Sequence, residues 1–181
     1  MKVDNLGAVQ AHYLHYCCKK EPEELTHFQK NMDTKLMQIC LDQLSGPMDK
    51  SSDVPIAALM YNESTGEMIG AVNSTIQATD PSAHAEINVL RQASQKCKNH
   101  RLSQWTIYVT LEPCLMCFGA LLEARVKRIV FAAADSKVGI LSKGNYQSFH
   151  HLGNHHFSWT QGVLAGQASQ KLKGFFQKHC R

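Results

Sequence analysis

Apolar positions recur along this chain in two rhythms. VPIAALMY, from residue 54, is a continuous run of strand length; NESTG follows as a turn and EMIGAV as a second strand, so the three read as a hairpin. TIYVTL (106–111) is a β-branched strand, and RIVFAAA (128–134) is another buried one. Around them the spacing widens to three and four, the helical repeat. Leu25, Phe28, Met32, Leu36 and Ile39 make a stripe that Pro22 opens and Gly46-Pro47 stops. A helix expected from Asp80-Pro81 contains Ile87, Leu90 and Ala93. Pro113 opens another, apolar on most sides and so expected to be buried. Leu164, Ala168, Leu172, Phe175 and Phe176 fit one face of a closing helix, and Leu6, Val9, Tyr13 and Tyr16 fit a short early one. Residues 136–160 are histidine-rich and poorly patterned, and read as loop.

Strands alternating with helices imply an α/β layered sheet. GPMDKSSD, residues 46–53, reads as a linker. It divides the chain into residues 1–50, a helical extension with the first helix, and residues 51–181, the main domain.

Composition narrows the class. Hydrophobic residues at 44% and charged ones at 19% suit a globular core, and no apolar run approaches the roughly 18 residues of a membrane span. MKVDNLGAVQ lacks the basic start and apolar stretch of a secretory signal, so a cytoplasmic setting with reduced thiols is expected. Seven irregularly spaced cysteines make a poor disulfide framework. Charge is uneven: after Asp135 there is no acid, but there are five lysines, Arg181 and five of the ten histidines. Such a basic end suits a polyanionic partner or a solvated face.

The chemistry concentrates in TLEPCLMC. Cys114 and Cys117 share one side of a helix start, where thiolates are favoured. Alone they fit a redox pair or half of a zinc site. His84-Ala85-Glu86, also at a helix start, supplies a third donor and a carboxylate. Three protein ligands leave a fourth zinc position for water, whose pKa such a metal lowers to about 7. Glu86 beside it can carry the proton. H-x-E followed by P-C-x-x-C is the general signature of zinc nucleobase deaminases. The competing arrangement, a closed structural site completed by His100 or a later histidine, leaves Glu86 without a role.

From about Phe28 to Phe176 the chain resembles the bacterial tRNA-specific adenosine deaminases of the zinc-dependent cytidine/deoxycytidylate deaminase superfamily. The resemblance rests on VPIAALM, DPSAHAEI, IYVTLEPCLMCFGALLEARVKRIVFAA, the D-x-K-x-G of Asp135, Lys137 and Gly139, HHLGNHHF, and the last helix's Gly-Phe-Phe. It implies a cytidine deaminase-like three-layer α/β/α sandwich with a mixed five-stranded sheet, so that residues 51–181 form the deaminase domain. It implies one Zn2+ per subunit on His84, Cys114 and Cys117, with Glu86 as the catalytic proton carrier. Asn73 and the backbone of Ala85 fall where the family holds the base. Asp135 and Lys137 fall where it touches the anticodon sugar and phosphates, and Phe176 where an aromatic stacks or packs. The implied substrate is the wobble adenosine of a tRNA anticodon stem-loop, converted to inosine by a cytoplasmic homodimer. A deaminase of a free nucleobase or nucleoside is the alternative; the basic end and D-x-K-x-G oppose it. Ala57 replaces a usual glycine, and Val72 and Ser74 replace a usual tryptophan and arginine.

Overall fold

Strands β1 (Lys19–Lys20), β2 (Ala57–Asn62), β3 (Met68–Val72), β4 (Trp105–Leu111), β5 (Arg128–Ala133) and β6 (Ser158–Gln161) form one sheet in the order β1-β6-β5-β4-β2-β3. The computed structural model describes residues 19–20, 25–45, 52–148 and 155–179. Five strands of four to seven residues carry the sheet, and two-residue β1 pairs along its outer edge. β4, β5 and β6 run parallel, whereas β2 is antiparallel to both β3 and β4. The sheet is therefore mixed, as expected, and the hairpin falls where NESTG placed it.

Among the described residues four α-helices cover it: α1 (His27–Asp42), α2 (Ala85–Cys97), α3 (Leu115–Glu123) and α4 (Ala165–His179). Alternation along β4 and β5 sends side chains to two cores. Ile107, Val109, Ile129 and Phe131 pack with Val89 and Leu90 of α2 and Phe118 and Leu121 of α3. Tyr108, Val130 and Ala132 pack on the other face with Leu36, Met37, Cys40 and Leu41 of α1 and Ala168 of α4. All six residues of β5 are buried, which explains the apolar run that follows Arg128: both faces of the strand are covered.

Several expectations need correction. α1 opens at His27, where the Thr26 side chain accepts the Gln29 N–H. Its buried positions are Asp33, Leu36, Met37, Cys40 and Leu41, while Phe28 is 73% and Ile39 42% exposed. The stripe is rotated because Asp33 belongs inside. Arg128 grips it through two hydrogen bonds of 2.7 and 2.8 Å, and the Tyr108 hydroxyl donates to it at 2.8 Å. Arg128 also donates to Thr160 Oγ1 at 2.7 Å, so the pair joins α1, β4, β5 and β6. β6 begins inside the stretch read as loop and ends one residue beyond it. It is short, and only Trp159 of its four residues is buried, stacked on Phe131 at 5.8 Å. Asp80 holds a turn through Ser82 rather than a helix, which starts four residues later than expected. The expected early helix at Leu6–Tyr16 and the Pro22 start lie outside the described residues.

Candidate active site

Two chain segments bring the site together. One runs from the end of β3, through Asn73, to the tip of α2 at His84. Asn88, one turn into α2, holds it shut: its Nδ2 reaches Val72 O (2.9 Å), Ser74 Oγ (3.0 Å) and Ala83 O (3.1 Å). Asp53, 1% exposed, accepts the N–H groups of Ile76 and Gln77 and the Thr75 hydroxyl, fixing the loop's outer half. The second segment is Glu112-Pro113-Cys114, which turns β4 into α3.

His84 and Cys114 are the N-cap residues of α2 and α3. Both have extended backbone, and neither side chain caps its own helix. They turn instead toward one another and toward Cys117. His84 Nδ1 lies 3.8 Å from Cys114 Sγ and 3.5 Å from Cys117 Sγ, and all three donor atoms lie within 4.8 Å of one another. Tetrahedral zinc with bonds of about 2.3 Å to sulfur and 2.0–2.1 Å to nitrogen separates its ligand atoms by about 3.6 Å. Both distances from the His84 nitrogen have that spacing, and one nitrogen with two sulfurs is a donor set suited to zinc. A redox pair alone would not account for His84.

A hydrogen bond links the two thiols. The hydrogen bond between them holds Cys114 down, to about 5, and it pushes Cys117 up, with burial adding to the rise. A bound divalent ion requires both as thiolates, and two helix N-termini aimed at the site favour that charge. Glu86 stands in the first turn of α2, 4% exposed. Burial first, and the neighbouring Cys114 charge with it, raise its pKa to about 7. A carboxyl there gains and loses a proton near neutrality.

The structure thus unites His84, Glu86, Cys114 and Cys117. Asn73 is 5% exposed; its Nδ2 donates to Val54 O at 3.3 Å and its Oδ1 accepts no hydrogen bond from the described residues. Ala85 is fully buried, and as the first residue of α2 its N–H has no intrahelical acceptor. Asp135 Oδ1 accepts the N–H groups of Lys137 (2.7 Å) and Val138 (3.1 Å), so it shapes a turn that leaves Lys137 exposed. Phe176 is 46% exposed on α4, on the opposite face of the sheet from α2 and α3. Ala57 is fully buried in the α1 core, with its N–H on Thr110 Oγ1. Among the other cysteines, Cys40 is buried and Cys97 exposed, both as free thiols; Cys17, Cys18 and Cys180 lie outside the described residues.

Sequence reasoning missed Asp53, Asn88 and Glu112, the polar residues that hold the site's loops. Glu112 alone left a signal: an acid at the end of a buried strand, where water cannot solvate it.

The model of the MafB19-like deaminase family matches residues 31–179. The tRNA-specific adenosine deaminase of Haemophilus influenzae is 39% identical over 150 residues, covering 83% of this chain and 86% of that protein. The Aquifex aeolicus protein of the same name is 35% identical over 144 residues, covering 78% and 92%. A structure from studies of A-to-I editing by tRNA:A34 deaminases superposes with a TM-score of 0.67 at 30% identity, covering 78% of this chain and 99% of that one. A guanine deaminase from Nitrosomonas europaea, 22% identical with a TM-score of 0.57 over 88% of this chain and 87% of that one, shares the fold. The chain belongs to the MafB19-like deaminase family and to the tRNA-specific adenosine deaminases.

Proposed function

We propose that this protein hydrolyses adenosine to inosine at the wobble position of a tRNA, releasing ammonia. The observation that carries the reading is the convergence of His84, Cys114, Cys117 and the proton-carrying Glu86 at two helix tips, in a chain whose relatives bear that name. His84, Cys114 and Cys117 would hold zinc, which when bound supplies a water acidic enough to attack at neutral pH.

The chain's own groups do the rest. Glu86 takes the attacking water's proton, delivers it to N1 of adenine and assists the departing amine. Asn73 Oδ1 accepts from the base, and the Ala85 N–H donates to it. The anticodon loop is already single-stranded, so presenting its base costs little unstacking. Asp135 and Lys137 meet the sugar and phosphates beside it, and Phe176 packs against RNA farther out. A homodimer joined through α3, where Leu115 is 48% and Met116 40% exposed, would cover those apolar side chains. No helix of the described residues is long and apolar enough to cross a membrane, and we place the protein in the cytoplasm with its substrate.

Nucleoside mass analysis of an anticodon stem-loop carrying wobble adenosine tests the reading, with free adenosine, guanine and cytosine in parallel. Inosine should form in the stem-loop only. Turnover of a free base with the stem-loop untouched would overturn it.

A further inference from the structure

One buried carboxylate outside the metal trio has an unusual set of partners. Glu112 is 3% exposed. Its Oε1 accepts the N–H groups of Leu141 (2.8 Å) and Ser142 (2.7 Å). Its Oε2 accepts the Asp135 N–H (2.9 Å) and the Ser142 hydroxyl (2.8 Å). Four donors fill the four lone-pair positions of an ionised carboxylate, and bonds to a charged acceptor are the strong kind. The donors come from both ends of one loop, residues 135–142. Between them the chain passes directly over the carboxylate. A Cβ on Gly139 would stand 2.4 Å from Glu112 Cδ and 2.5 Å from Asp135 O, so glycine is the residue that fits. On its other side Glu112 is fixed to β5 by its N–H on Ala133 O (2.8 Å) and runs straight into Pro113 and Cys114.

We propose that Glu112 is a positioning residue: it ties the 135–142 loop to the metal-bearing turn, and so sets where Asp135 and Lys137 meet the substrate relative to the reacting base. This rests on the RNA reading above for what the loop touches. The tie itself rests on the geometry. It also gives Gly139 of the D-x-K-x-G pattern a physical reason, close approach to an acid 27 residues earlier in the chain. A carboxylate suits this task better than its amide. In Glu112→Gln the amide nitrogen must face a backbone N–H, whichever way it turns, because each oxygen now receives at least one.

The test separates loop placement from general stability. Glu112→Gln should raise KM for the anticodon stem-loop about ten- to a hundredfold, the scale of a lost charge-assisted bond. Turnover at saturating RNA and zinc content should stay within about twofold, since the trio and Glu86 are untouched. Hydrogen exchange at the Leu141 and Ser142 amides should quicken. Gly139→Ala, which pushes from the loop side, should shift KM the same way, and Ser142→Ala by a few-fold only; these two carry the test if Glu112→Gln does not fold. Lower turnover and zinc content at unchanged KM would overturn the proposal and make Glu112 a support of the metal turn. So would unchanged exchange at both amides. If the wild-type protein leaves the stem-loop untouched, the RNA reading fails separately, and the exchange measurement still decides whether Glu112 holds the loop.

Discussion

The two faces of the sheet both bury charge, but they treat it differently. On the α1–α4 face Asp33 has a bidentate arginine, a tyrosine hydroxyl and, through Arg128, a threonine. That group is closed: its partners point inward and it joins four elements. On the α2–α3 face Glu86 is just as buried but has thiols and an imidazole for neighbours, and its pKa is raised to about 7. The contrast separates a charge that specifies packing from one kept ready to exchange a proton. Satisfaction of the group, rather than burial, is the difference.

Breaking the reactive side should have the largest effect. Chelation, or Cys117→Ala, should remove zinc and with it all measurable deamination, while zinc added back should rescue the chelated wild type only; elemental analysis beside the activity assay checks this. Glu86→Gln should come next. It should keep zinc yet lose turnover by about 10²–10⁴-fold, the usual weight of a positioned proton carrier.

The same variant sharpens the comparison through pH. Glu86 has a higher pKa folded than unfolded, so between about 4.5 and 7 the folded state binds more protons. Stability of the metal-free protein should therefore fall as pH rises through that window, by up to about 3 kcal/mol from this group. Glu86→Gln should lack that component. Denaturant melts of the two metal-free proteins at pH 4.5 and 7.5 give the difference directly; parallel curves would contradict it.

On the closed face the effect should be on stability. Arg128→Met leaves Asp33 buried without its cation and should cost about 3–5 kcal/mol, with turnover of the remaining folded protein unchanged. Asp33→Leu combined with Arg128→Met should recover much of that loss, because the penalty lies in the orphaned charge. Smallest of all is Phe28→Gln, expected within about 0.5 kcal/mol because the side chain is already in water.

Much of this was legible in the residues themselves. Strands covered on both sides read as near-continuous apolar runs, and β4 and β5 do so apart from Thr106, Thr110 and Arg128. The metal donors are rare residue types at fixed spacing, in two groups that each open a helix. What escaped notice was polar or marginal. The stripe of α1 misled because Asp33 occupies a core position that hydrophobicity assigns to leucine or isoleucine. β6 is four residues with one buried side chain, too little for a period to show. Asp53 and Asn88 read like any surface polar residue, because a side chain that bonds to groups elsewhere along the chain leaves no local pattern. The same limit applies to Phe176: its apolar spacing places it on α4, but not on the sheet face that carries the chemistry.

His84 and Cys114 forgo capping their own helices, and this ties the fates of two otherwise independent segments. An ion shared between them would act as a rivet through the starts of α2 and α3, so neither could unwind from its beginning without tearing coordination bonds. Thirteen residues and nine, each short for a lone helix, would then open as one unit, and metal loading would lengthen the lifetime of both together.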